Sequence, residues 1–66
     1  DLLVLGKPGY TVIDYKYSNK SDEQLKARYF KQLALYKNAV AKIKKLNPET
    51  IKTYIVNIRR KSVIEL

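Results

Sequence analysis

The chain contains no cysteine and no histidine. Disulfide bridges and Cys/His zinc sites are therefore excluded, and the lack of cysteine suits a reducing cytoplasm. Its apolar runs fall far short of the roughly 20 residues that a membrane-spanning helix requires, and there is no secretory signal pattern. Internal repeats and low-complexity stretches are also missing. Acids are scarce, six Asp and Glu against fourteen Lys and Arg, for a formal net charge of +8. That imbalance favours a polyanionic partner, either nucleic acid or an anionic membrane surface. The plainer alternative is a solvated basic surface. Six tyrosines suit stacking on bases and equally suit a core.

At 66 residues the chain has room for one small domain, which is marginal without a staple, a metal or a partner. With Asp1 first and an apolar run, Leu2 to Leu5, directly behind it, the expectation is a segment of a larger protein.

Two β-prone runs, Leu2 to Leu5 and Tyr10 to Tyr17, flank Gly6-Lys7-Pro8-Gly9, which has strong turn chemistry. A four-residue loop would pair Leu5 with Tyr10 and set Asp1 opposite Asp14, with Cβ atoms about 5 Å apart. A slip of one residue would undo that pairing. Ser18-Asn19-Lys20 is a polar connection. Ser21 followed by Asp22, Glu23 and Gln24 is a capping-box signature. Leu25, Tyr29, Gln32, Leu33, Tyr36, Val40 and Ile43 recur at helical spacing, predicting one apolar stripe on a helix that runs to about Leu46 and stops at Asn47-Pro48. Ile51 to Ile58 reads as a strand, Arg59 to Ser62 as a turn and Val63 to Leu66 as a return strand. The expected fold is α+β, a small mixed sheet in the order strand-strand-helix-strand-strand with one long helix on a face.

Within Val12-Ile13-Asp14-Tyr15-Lys16, alternation puts Asp14 and Lys16 on one face of the strand and Tyr15 on the other. Cleaving a phosphodiester requires neutralising developing charge and activating a water, and hard divalent cations held by carboxylate and carbonyl oxygens do both. Asp1, Asp14 and the Tyr15 carbonyl are the candidate ligands. Lys16 is the candidate to orient or deprotonate the water, or to hold the phosphate. The competing reading is a surface ion pair, which contributes only about 0–1 kcal/mol. Gln32 interrupts the apolar stripe one turn before Tyr36 and would hydrogen-bond a catalytic group or phosphate oxygen if it faced the site. A stripe-edge glutamine in solvent is the alternative. Tyr29 and Tyr36 read first as core, with Tyr36 a weaker candidate for DNA contact. Arg59, Arg60 and Lys61 are weaker candidates for phosphate contacts on a turn that would otherwise simply be solvated.

The strand Val12 to Lys16 and the segment Gln32-Leu33-Ala34-Leu35-Tyr36 together resemble the nuclease domain of the RecB and AddA family, within the PD-(D/E)XK nuclease superfamily. Members carry an aspartate on one strand, a hydrophobic-Asp-Tyr-Lys motif on the next and a helix with Gln-x-x-x-Tyr after it. Asp1, Asp14, Lys16, Gln32 and Tyr36 match these in order. Tyr17 departs from the small hydroxyl residue usual after the lysine, with Ser18 one place later. The resemblance covers residues 1 to 46 well and the closing strands more loosely. It implies a restriction-endonuclease-like core, Mg²⁺- or Mn²⁺-dependent cleavage of DNA, and a larger helicase–nuclease complex for double-strand break repair. Residues 1–66 would be the C-terminal part of such a nuclease domain, and the family's upstream helix with a further ligand would lie before Asp1. The competing readings are a non-catalytic DNA-binding module and a protein-interaction module on the same fold.

Overall fold

The computed structural model of the chain describes residues 2–6 and 9–66. Asp1, Lys7 and Pro8 lie outside the described residues, and with them fall the expectations for Asp1 and for the tip of the first loop. Strands β1 (Leu2–Leu5) and β2 (Thr11–Lys16) precede a long helix, α1 (Asp22–Lys44). A short 3₁₀ helix at Pro48–Thr50, β3 (Lys52–Asn57) and β4 (Ser62–Glu65) complete the order. The sheet runs β1-β2-β3-β4. Its outer pairs are antiparallel and β2 runs parallel to β3. This is the expected α+β mixed sheet, consistent with a restriction-endonuclease-like core. The parallel pair needs a long crossover between its strands, and α1 provides it.

Alternation along the strands decides what meets the helix. Val12 and Asp14 of β2 are buried on one face, joined by Thr53, Ile55 and Asn57 of β3 and Ile64 of β4. Helix residues Leu25, Leu33 and Ala41 complete this core, with Ile51 at the entry to β3. The other face carries Leu3, Leu5, Ile13, Tyr15, Tyr54, Val56 and Val63, and none of these is buried. Every residue of β1 is exposed.

Two sequence expectations are corrected here. The first is the hairpin register. Leu5 pairs with Thr11 rather than Tyr10, and the residue opposite Asp14 is Leu2. Tyr10 leaves the ladder because its ring lies over Gly6 and packs against the core. A Cβ added to Gly6 would come within 3.1 Å of the Tyr10 ring, so any other residue here would push that ring aside by a few tenths of an ångström. The connection therefore has one residue more than the four-residue loop allows.

The second correction is the helix stripe. Leu25, Leu33 and Ala41 are buried, while Gln32 is exposed and Ile43 is 74% exposed. At 3.6 residues per turn, each eight-residue step moves the buried direction about 80° around the helix. The contact line therefore winds away from a straight stripe, and Ile43 ends up well over 90° from Ala41. Tyr29, Tyr36 and Val40 stay partly buried against the core, as expected.

The helix start follows its sequence signature. Ser21 Oγ accepts from the Gln24 N–H at 3.2 Å, and Gln24 Oε1 accepts from the Ser21 N–H at 2.9 Å. The helix ends at Lys44 with Lys45 in the left-handed region at φ 57°. Leu46 N–H donates to the Ala41 carbonyl at 2.8 Å. Asn47-Pro48 thus opens the 3₁₀ helix rather than ending α1, with Asn47 Oδ1 capping Glu49 N–H at 3.0 Å.

Candidate active site

Asp14 and Lys16 project from the helix-facing side of β2, near the end of the strand. Lys16 Nζ lies 3.3 Å from Asp14 Oδ2. The Asp14 side chain is only 6% exposed and that of Lys16 is 25% exposed. The pair is therefore no solvated surface bridge. Its acid is sheltered and its amine remains reachable. Loss of Lys16 would take a countercharge from a carboxylate that water reaches poorly, which is more damaging than loss of an exposed pair.

The helix contributes a third member. The Tyr29 ring centroid is 4.1 Å from Lys16 Nζ, well within the range at which an ammonium is attracted to the negative face of an aromatic ring. Arg28 Nε donates to the Tyr29 hydroxyl at 3.2 Å, and the Arg28 guanidinium lies 5.6 Å from the ring centroid. Tyr29 reads as core in the sequence. Its role beside Lys16 is carried by a tertiary contact and is signalled only by its place one turn before Gln32. Gln32 itself is exposed, and its Nε2 donates to the Tyr36 hydroxyl at 2.8 Å. The Gln32–Tyr36 pair of the sequence motif is thus formed, as an i,i+4 contact on the solvent-facing flank of α1.

The backbone at the end of β2 is fixed from β3. Asn57, fully buried and paired with Lys16 in the parallel register, clasps the next loop. Its Oδ1 accepts from the Ser18 N–H at 3.1 Å and its Nδ2 donates to the Ser18 carbonyl at 3.0 Å. Ile58 N–H donates to the Lys16 carbonyl at 2.8 Å. A polar amide among β-branched strand residues was the available sequence signal for Asn57, although its partner 39 residues away gave none.

Arg59, Arg60 and Lys61 occupy the turn that follows β3 and are exposed, as expected. The two arginines are not free-swinging. Arg59 Nε donates to Asn19 Oδ1, and Arg60 Nη1 donates to the Asn19 carbonyl at 3.0 Å. Tyr17 sits beside them at 71% exposure.

A sequence model of the PD-(D/E)XK nuclease superfamily matches residues 1–65. The chain belongs to this superfamily. Asp14-Tyr15-Lys16 has the D/E-X-K form of the superfamily's name, and the structure brings its acid and lysine together on a sheltered strand face. No match to the chain is found among curated proteins or among solved structures.

PD-(D/E)XK nucleases generally use divalent metal ions. The donor chemistry here fits a hard cation, since a carboxylate and a strand carbonyl from adjacent residues supply oxygen ligands. The fit is partial in number. Among the described residues there is no group of three or more His, Cys, Asp or Glu side chains that could hold a metal, and Asp1, the second expected carboxylate, lies outside them. No helix among the described residues is long and apolar enough to cross a membrane.

Proposed function

We propose that the chain carries the catalytic core of a Mg²⁺-dependent DNA nuclease of the RecB/AddA type. The observation that carries this reading is the Asp14–Lys16 contact of 3.3 Å, on a sheltered face, at the motif that relates the chain to PD-(D/E)XK nucleases. Asp14 would hold the cation with the Tyr15 carbonyl, and Asp1 is the further carboxylate that the family resemblance, rather than the strand register, offers. When bound, Mg²⁺ or Mn²⁺ supplies charge neutralisation and a polarised water. Lys16, with Asp14 then shared, has its ammonium available to orient that water or to donate to a non-bridging phosphate oxygen. Tyr29 limits where Lys16 can point. Gln32, held by Tyr36, stands one turn along the same helix from Tyr29 and is suited to contact the substrate strand rather than the metal. Arg59, Arg60 and Lys61 add positive potential for the backbone of DNA. The family resemblance further suggests that residues 1–66 form part of a nuclease domain in a cytoplasmic helicase–nuclease that processes double-strand breaks.

The test is metal-dependent cleavage of linear DNA by the full protein and by Asp14→Asn and Lys16→Met variants. The expected result is a loss of about a hundredfold to a thousandfold in each, comparable to removing a principal charge-stabilising group, with the far-ultraviolet circular dichroism spectrum unchanged. Wild-type-like cleavage in folded Asp14→Asn protein would overturn the assignment. Metal-independent DNA binding without any cleavage by the wild type would instead support a non-catalytic binding module.

A further inference from the structure

Because β2 and β3 run parallel, the loop after Lys16 and the turn after Asn57 leave the sheet at the same end. Together they carry Tyr17, Asn19 and Lys20 on one side and Arg59, Arg60 and Lys61 on the other. These six residues include four cations and no acid, and the acids nearest them, Asp22 and Glu23 at the start of α1, line a surface pocket with Arg60. Among the described residues neither arginine lies within ion-pair distance of a carboxylate. Both are instead held by neutral acceptors. Arg59 Nε donates to Asn19 Oδ1 and Arg59 Nη1 donates to the Tyr17 hydroxyl at 3.3 Å. Arg60 Nη1 donates to the Asn19 carbonyl at 3.0 Å.

This arrangement leaves charge and donors unused. A guanidinium has five N–H donors in a fixed fork. Arg60 uses only Nη1, so its Nε–Nη2 edge is able to meet a phosphate in bidentate fashion, while Arg59, engaged through Nε and Nη1, keeps its Nη2 donors. Their contacts with Asn19 and Tyr17 restrict the directions the side chains take, which lowers part of the entropic penalty of binding. Tyr17 completes the unit. The Arg59 guanidinium carbon lies 5.5 Å from its ring centroid, yet the side chain is 71% exposed. An aromatic ring so open, beside a cation and directly after the catalytic lysine, has a face available for stacking.

We infer that Tyr17, Arg59 and Arg60 form a preassembled docking point for a single DNA strand next to the Asp14–Lys16 site. A backbone phosphate is held by the two guanidiniums and an unpaired base stacks on the Tyr17 ring. This rests on DNA being the substrate, and it adds a preference for unpaired strand at the cutting site. A duplex keeps its bases stacked on one another, so it gains the phosphate interaction alone.

The inference is tested by fluorescence anisotropy of the full protein with a labelled oligo(dT) strand and with a duplex of equal length. Divalent metal is chelated, so that binding is read independently of cleavage. Tyr17→Leu is expected to weaken single-strand binding about tenfold, the range of one base–aromatic stack, and to leave duplex binding within about twofold. Tyr17→Phe retains single-strand binding. Arg59→Gln with Arg60→Gln keeps amide donors toward Asn19 but removes charge. The slope of log K against log salt should then fall by about 0.7 for each single-strand phosphate that the variant no longer neutralises. Unchanged affinity and salt slope in both sets of variants, whatever happens to their melting temperatures, would make the unit a structural staple and overturn the inference while the nuclease assignment stands. Weakened strand binding in these variants, with a wild type that never cleaves, would uphold the docking point and defeat the nuclease assignment. Failure of the wild type to bind either DNA at low salt would overturn both.

Discussion

Asn57 offers the most demanding test of how the fold builds the site. Its amide is fully buried and makes both of its described bonds, 3.1 and 3.0 Å, to the backbone of Ser18. Asn57→Ala removes both at once and leaves a partly buried N–H and C=O without these partners. Each such group carries a penalty of about 1–3 kcal/mol, and the vacated volume adds to it. With some relief from water reaching Ser18, the expected loss is about 2–4 kcal/mol. For a chain of this length, total stability is roughly 3–10 kcal/mol, so the variant should sit near the edge of folding. In urea, with a slope of about 1 kcal/mol per molar, the unfolding midpoint should fall by about 2–4 M, as followed by circular dichroism.

Asn57→Asp sharpens the test because it keeps the shape. One carboxyl oxygen can still accept from the Ser18 N–H. The other faces the Ser18 carbonyl and is acceptable there only when protonated, as a donor. Lys16, the cross-strand neighbour, has its ammonium engaged by Asp14 and Tyr29. The folded state therefore favours the neutral acid and raises its pKa above the unfolded value of about 3.9. Between those two values the folded chain holds the extra proton, so stability falls as pH rises, by about 1.4 kcal/mol per unit, and levels off above the folded pKa. The variant should be close to the parent below about pH 4 and progressively weaker toward neutrality. Parallel stability–pH profiles for variant and parent, or an Asn57→Ala midpoint within about 0.5 M of the parent, would refute the role given to the clasp.

Tyr29→Leu should remove the ring under Lys16 and reduce DNA cleavage about tenfold through kcat, while Tyr29→Phe stays within about twofold, since a cation–π contact of this kind contributes about 1–2 kcal/mol. The Lys16 ε-proton NMR signals should lie upfield in the parent and in Tyr29→Phe and move back in Tyr29→Leu, a shift that a purely structural role for the ring would not predict. Ser21→Ala, which breaks the capping box, should destabilise the chain by about 1 kcal/mol in the same urea titration. Leu33→Ala, at the centre of the buried helix line, should cost about 2–5 kcal/mol, whereas Ile43→Ala should fall within about 0.5 kcal/mol.

Local rules made the element order readable, because strand alternation, the Gly6–Gly9 segment and the Ser21–Gln24 box each act over a few residues. The shared face of Asp14 and Lys16 followed from the same two-residue period. What escaped was decided at long range. The hairpin register depends on where the Tyr10 ring packs, so the turn residues alone could not set it. The buried side of α1 follows the line along which it crosses the sheet, so Ile43 could not be ruled out from spacing. Gln32 looked inward because it interrupts a straight stripe, but the real contact line curves past it. Tyr29 and Asn57 acquired their places beside Lys16 through partners 13 and 39 or more residues away in the chain, for which pattern gives no cue.

The parallel pairing of β2 with β3 has a consequence for how the chain folds. Thr11 pairs with Lys52 and Lys16 with Asn57, so the strands meet only after a loop of some forty residues has closed. Closing such a loop is an entropic toll met before the contacts that reward it exist. Among the described residues the first hairpin pairs β2 only as far as Asp14, so Lys16 gains its strand partner, the ring beneath it and the clasp behind it only with the crossover. The Asp14–Lys16–Tyr29 geometry is therefore a property of the finished molecule, and a nascent or partly unfolded chain carries the motif without that geometry.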